Sequence, residues 1–158
     1  MEQTETPWLT EDEQQTWRAF VQLQVRLQAQ LGRALQAGSE LSQADFVVLV
    51  QLTDTPDGRA RAYELGRFLD WEKSRLSHHL TRMEKRGLVA RQDCPTDRRG
   101  AFVAVTPAGR RAIEAAAPAH VRDVRRLFFD ALSAQELAGL REISERLLDR
   151  LDREDPGC

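Results

Sequence analysis

Between Lys73 and Lys85 the chain sets out Lys73, Ser74, Arg75, Ser77, His78, His79, Thr81, Arg82 and Lys85. Every one of these side chains can donate a hydrogen bond, and four carry a fixed positive charge. The chemistry they share is donation to anionic or acceptor-rich partners, such as phosphate oxygens and base edges. Shortly afterwards comes the loop Asp93-Cys94-Pro95-Thr96-Asp97-Arg98-Arg99-Gly100, with Asp97, Arg98 and Arg99 beside a glycine. An arginine at the tip of such a loop suits a minor groove, where narrow width concentrates negative potential. A basic helix running into an arginine-tipped hairpin can fill one groove of duplex DNA and reach into the next.

A helix must hold the first group. Advancing about 100° per residue from Leu76, Leu80 falls near 40° and Met83 near −20°, so these three make one apolar stripe. Ser74, His78, Thr81 and Lys85 gather at the opposite pole, flanked by Arg75 and Arg82. Such a helix is expected from about Glu72 to Arg86, ended by Gly87. A short helix carrying Tyr63, Leu65, Phe68 and Leu69 precedes it, so the pair reads as a helix-turn-helix. An amphipathic helix with Lys and Arg outside is equally compatible with a merely solvated face. Helix and arginine loop together are more specific than either.

The loop in turn needs two strands. Leu88-Val89-Ala90-Arg91-Gln92 and Ala101-Phe102-Val103-Ala104-Val105 have the β-branched and aromatic content of strands. The eight residues between them exceed the ~2 to 5 of a tight hairpin, so the connection projects.

The flanking segments are helical. Trp17, Phe20, Val21, Val25, Leu27, Leu31 and Leu35 recur at helical spacing from about Glu11, in a helix ending near Gly38. Ser42-Gln43-Ala44-Asp45 resembles a capping box ahead of a second helix that stops at the turn cluster Thr53-Asp54-Thr55-Pro56-Asp57-Gly58. Thr106-Pro107 opens a long helix through Phe129, in which Pro118 predicts a kink or a break. Ser133-Ala134-Gln135-Glu136 is a capping box before a last helix with Leu140, Ile143, Leu147 and Leu151, a stripe suited to another helix of the same subunit or of a second one.

Charge is unevenly placed along the chain. Arg59 to Arg111 holds 13 Lys/Arg against 6 Asp/Glu, net +7, while the whole chain is −2 and the remainder is therefore −9. A basic segment within an acidic remainder points to a local polyanion-binding face. The 158 residues suit one modest domain, with 41% hydrophobic and 30% charged residues in a globular balance. No run approaches the ~18 to 20 apolar residues of a membrane span and no signal peptide is visible, so a cytoplasmic location without membrane partners is expected.

Other constellations carry less. His78 and His79 point about 100° apart and cannot grip one metal from one face, and the two cysteines, Cys94 and Cys158, form no ligand cluster, so neither metal nor cofactor is expected. No catalytic signature is present, which sets enzyme function aside. Cys94 is a candidate redox switch, since oxidation there would move the nearby arginines, although no thiolate-stabilising partner beyond those arginines is evident.

The segment Lys73 to Val89, the loop Asp97-Arg98-Arg99-Gly100 and the exit Val103-Ala104-Val105-Thr106-Pro107-Ala108-Gly109 together resemble MarR-type winged helix-turn-helix transcriptional regulators. The resemblance extends over nearly the whole chain. It implies a mainly α fold with a small β-hairpin wing, a single unit over residues 1–158. Within it, 42–106 would be the DNA-binding winged helix-turn-helix, 8–38 and 107–152 the dimerisation helices, and 1–7 and 153–158 flexible tails. The implied function is regulation, as a repressor, by a homodimer on a palindromic double-stranded operator. In that family the second arginine of the wing, here Arg99, enters the minor groove and the aspartate, here Asp97, braces it. Small-molecule effectors often release such proteins from DNA, and Trp17, Phe20 and Trp71 are the aromatics that would line a pocket here. The competing reading is a helical ligand- or protein-binding module whose winged domain has lost DNA binding.

Overall fold

The computed structural model describes residues 7–92 and 101–154. Cys94 and the loop candidates Asp97, Arg98 and Arg99 lie outside the described residues. The chain falls into two compact units, Met1–His120 and Val121–Cys158.

In the first unit, helix α1 (Glu11–Gly38) begins at a capping box: Thr10 Oγ1 accepts from the Glu13 N–H at 3.2 Å, and the Glu13 carboxylate accepts from the Thr10 N–H at 2.8 Å. Acids at Glu11, Asp12 and Glu13 complement the positive end of the helix dipole. Only Leu31 and Leu35 of α1 are buried, whereas Trp17, Phe20, Val21 and Val25 are exposed. The stripe anticipated from spacing is there, but most of it is uncovered.

Helix α2 (Gln43–Thr53) has the opposite character, with Phe46, Val48, Leu49 and Leu52 all buried. It is the central helix of the core. Around it lie β1 (Arg59–Arg61), α3 (Ala62–Leu69), α4 (Lys73–Lys85), β2 (Val89–Gln92) and β3 (Phe102–Val105). The strands form an antiparallel sheet in the order β1-β3-β2, with Arg61 opposite Phe102 and Val89 opposite Val105. The sheet thus has three strands, not the two expected. Arg59-Ala60-Arg61 has no β-branched or aromatic residue to announce a strand, and its conformation comes from pairing with β3.

Helix α5 (Pro107–Leu127) starts on Thr106, whose Oγ1 accepts from the Gly109 N–H at 3.0 Å and donates to the Leu88 carbonyl at 3.1 Å. Gly109 permits this closeness, because a Cβ there would overlap the Leu88 carbonyl oxygen. Pro118 stands inside α5 without breaking it. Its ring and Glu114, whose carbonyl loses its helical donor to the proline, are both exposed, so water can satisfy that carbonyl.

The second unit carries a short 3-10 turn (Phe129–Ala131) and α6 (Ala134–Glu154). The predicted capping box is formed, with Ser133 Oγ accepting from the Glu136 N–H at 3.2 Å and Glu136 accepting from the Ser133 N–H at 2.8 Å. No residue of α6 is buried.

Candidate nucleic-acid interface

Helix α3 ends at Asp70, which adopts the left-handed conformation at φ 51°. Aspartate tolerates this region better than most residues because its short polar side chain bonds locally. The reversal lets the Trp71 N–H reach back to the Gly66 carbonyl at 2.9 Å, and α4 starts two residues later. At its far end Gly87 takes φ 73°, with the Gly87 N–H on the Glu84 carbonyl and the Leu88 N–H on that of Met83. This paired closure is the Schellman motif, and it delivers the chain directly into β2.

Leu76, Leu80 and Met83 are buried as the helical wheel requires. Lys73, Ser74, Arg75, Ser77, His78, Arg82 and Lys85 are exposed on α4, and Thr81 is half-buried. His79 departs from its expected place among the outward donors. Only 6% exposed, it points into the protein, with Nε2 3.1 Å from Asp45 Oδ1. The wheel holds the reason: three residues beyond Leu76, His79 falls near −60°, next to Met83 rather than at the polar pole.

Three other candidates are tethered. The Arg75 guanidinium lies over the Trp71 ring, 4.4 Å from its centroid. Arg82 Nη2 lies 3.0 Å from His79 Nδ1. Thr81 Oγ1 donates to the Ser77 carbonyl at 2.9 Å and accepts from Arg91 Nη2 at 3.0 Å. By contrast Lys73, Ser74, His78 and Lys85 make no side-chain hydrogen bond or ion pair with another described residue, so their donors are open to a ligand.

Asp45 holds this face in register. The residue is 1% exposed, and its carboxylate accepts from the Ser42 N–H at 2.9 Å and from Arg86 Nη1 at 2.7 Å, while Arg86 Nη2 donates to the Glu40 carbonyl at 2.7 Å. Burial pushes the Asp45 carboxyl up, but the contacts from His79, Arg86 and Ser42 outweigh it and hold the group well below the usual carboxylate range. It is therefore a buried anion pinned between the start of α2 and the length of α4.

Some contributors escaped the sequence reading. Arg91 of β2 braces α4 through the Ser77 carbonyl at 3.0 Å and through Thr81. Arg59 and Arg61 lie over the Phe102 ring at 5.1 and 4.9 Å from its centroid, which extends the positive charge onto the sheet. Their signal was the charge of Arg59-Ala60-Arg61, but its meaning depended on the missed strand.

The expected effector aromatics do not come together in one cavity. Trp71 lines an open cleft of about 660 Å³ between α3, α4 and the sheet, whereas neither Trp17 nor Phe20 contributes to it. Those two pack on each other, centroids 6.0 Å apart, on the exposed side of α1.

Comparison with known proteins gives this arrangement its family. The MarR family model matches residues 41–100. AbsC, a MarR family transcriptional regulator from Streptomyces coelicolor, is 38% identical, with 92% of this chain and 98% of that one covered and a TM-score of 0.87. The chain belongs to the MarR family. Members are transcriptional regulators and not enzymes. A second regulator from the same organism, Sco3205, crystallised in complex with DNA, is 36% identical over 94% of this chain and 92% of its own, at a TM-score of 0.89. A probable transcriptional regulator from Pseudomonas aeruginosa is 29% identical over 82% of this chain and 93% of its own, at a TM-score of 0.71. No match was found among proteins of curated function. Among the described residues no helix is long and apolar enough to cross a membrane.

Proposed function

We propose that this MarR-family protein is a cytoplasmic repressor that binds a palindromic operator as a homodimer, with α4 in the major groove. The observation that carries the reading is the outer face of α4. There the unengaged donors of Lys73, Ser74, His78 and Lys85 stand on a helix braced from behind by a buried ion cluster, within a segment of net charge +7. A rigid helix with open donors has the form that base-edge and phosphate contacts require. The DNA complex of the Sco3205 relative supports the same use of the fold.

The proposed dimer draws on both units. Trp17, Phe20, Val21 and Val25 on α1 are exposed, and so are Ile143, Leu147, Leu148 and Leu151 on α6. Helices with long uncovered apolar stripes gain most of their stability from packing, and a second copy supplies the matching surface. Twofold symmetry in the protein then corresponds to palindromy in the operator. Arg99 is assigned to the minor groove on the family resemblance, with Arg98 beside it and Asp97 as its brace.

Selection of bound sites from a random duplex pool tests the proposal. Enrichment of one palindrome is expected, and Arg99→Ala should bind it more weakly while melting like the wild type. A pool that shows no enrichment would refute sequence-specific binding, and wild-type affinity in Arg99→Ala would refute the wing assignment.

A further inference from the structure

His79 is the buried polar side chain of α4, and its two ring nitrogens face groups of opposite kind. Nδ1 lies 3.0 Å from Arg82 Nη2. A guanidinium only donates, so Nδ1 accepts, and the proton of the neutral ring sits on Nε2. Nε2 is 3.1 Å from Asp45 Oδ1, off the ideal hydrogen-bond direction, in a contact that is chiefly electrostatic. The Trp71 ring meets the imidazole edge-on at 5.3 Å and restrains its orientation. Buried carboxylate, imidazole and guanidinium therefore form a chain that ends on an exposed arginine of the proposed DNA-reading helix.

We propose that His79 is a positioning residue for Arg82: its neutral ring couples Asp45 to the Arg82 guanidinium, and its protonation uncouples Arg82 and weakens duplex binding. The proposal rests on the DNA-binding reading above. A proton on Nδ1 turns the acceptor into a donor facing a group that can only donate, and the bond to Arg82 is lost. The charged groups around the ring, directly or across one neighbour, are Asp45 from α2, Arg82 from α4, Arg86 on the other oxygen of Asp45, and Arg75 over the Trp71 ring. A bound Arg82 is one whose long side chain is already oriented, so that less rotamer freedom is lost when it meets the duplex.

Two substitutions divide the roles of the nitrogens. In His79→Asn the amide oxygen falls near the place of Nδ1, which keeps an acceptor for Arg82 in a side chain that does not titrate. In His79→Gln the amide nitrogen falls near the place of Nε2, which keeps the donor to Asp45 and removes the acceptor. Affinity for a duplex selected by the wild-type protein is measured by fluorescence anisotropy at fixed ionic strength between about pH 8 and pH 5.5, the range in which histidines change charge. Acidification should weaken the wild type about threefold to tenfold more than His79→Asn, the scale of the rotamer freedom lost on ordering one long side chain. His79→Gln should already be weaker by a similar factor at pH 8, with its melting temperature recorded alongside. Removing Arg82 should abolish the effect, so that Arg82→Ala alone and Arg82→Ala combined with His79→Asn follow one pH profile. His78 and His120 remain in every protein, so what they contribute is common to both arms of the comparison. Parallel pH profiles for wild type and His79→Asn would overturn the coupling, whereas a wild type that selects no duplex would overturn the DNA-binding reading itself.

Discussion

Replacing Asp45 by asparagine should cost this fold a large part of its stability, although the two side chains have nearly the same shape. The carboxylate is buried and meets His79, Arg86 and the N-terminus of α2 at once. Breaking a buried ion pair by neutralising one partner costs about 3 to 5 kcal/mol when both charges are enclosed. Arg86, however, retains 42% side-chain exposure, so water can recover part of its solvation. The asparagine also remains able to cap α2 by accepting from Ser42, a contact worth about 1 kcal/mol. A loss of about 2 to 3 kcal/mol at pH 7 is therefore expected, measured by urea unfolding followed by circular dichroism. The pH dependence adds a second mark. The folded carboxyl is held below its unfolded value of about 3.9, so its contribution is fully present above that value and declines as pH falls toward the folded one. The gap between wild type and Asp45→Asn should be flat from about pH 5.5 to pH 8 on the carboxylate's account and close below about pH 4. A gap under about 1 kcal/mol at pH 7, or one that does not narrow in acid, would refute the argument that Asp45 is a stabilising buried anion.

Further outcomes can be checked with single substitutions. Gly109→Ala should destabilise the protein by at least about 3 kcal/mol in the same assay, because the new Cβ overlaps the Leu88 carbonyl oxygen and backbone must move; a wild-type melt would show that α5 can step aside freely. Lys85→Ala should leave the fold intact and lower the slope of log affinity against log salt by about 0.9, as expected for one lost phosphate contact; an unchanged slope would place Lys85 off the backbone. Leu147→Asp, at a side chain 51% exposed within the single chain, should convert a dimer to monomer in sedimentation; an unaltered mass would remove α6 from the interface.

Helix ends were legible in this sequence because their signals are local. Ser42 with Asp45, Gly87, Thr106 before Pro107, and Ser133 with Glu136 each announce a boundary within four residues, and each sits where it was read. Strand β1 was not legible, since three residues without strand-forming side chains take their shape from a partner more than 40 positions away. The face of α4 was legible in its apolar stripe but not in His79, where residue type suggested a donor for DNA and helical position placed it inside. The roles of Arg91 and Arg86 were likewise not legible, because their targets, Thr81 and Asp45, become neighbours only through the fold.

The Asp45 cluster bears on how α4 is aimed. Leu76, Leu80 and Met83 fill a core, but apolar packing is non-directional, and a small rotation of the helix would bury nearly the same area. A carboxylate that must meet His79 on the inner side of α4 and Arg86 at its end admits one rotation and one axial position. Such a pair adds less net stability than its short distances suggest, because burial of the charges offsets much of the attraction. Its larger effect is on the alternatives: a misrotated α4 leaves a buried carboxylate and a buried imidazole without partners, which is costly in a medium that cannot solvate them. A surface that reads DNA depends on side chains placed to within about an ångström. The buried charge on α2 is thus tied to the outer face of α4 by the geometry it excludes.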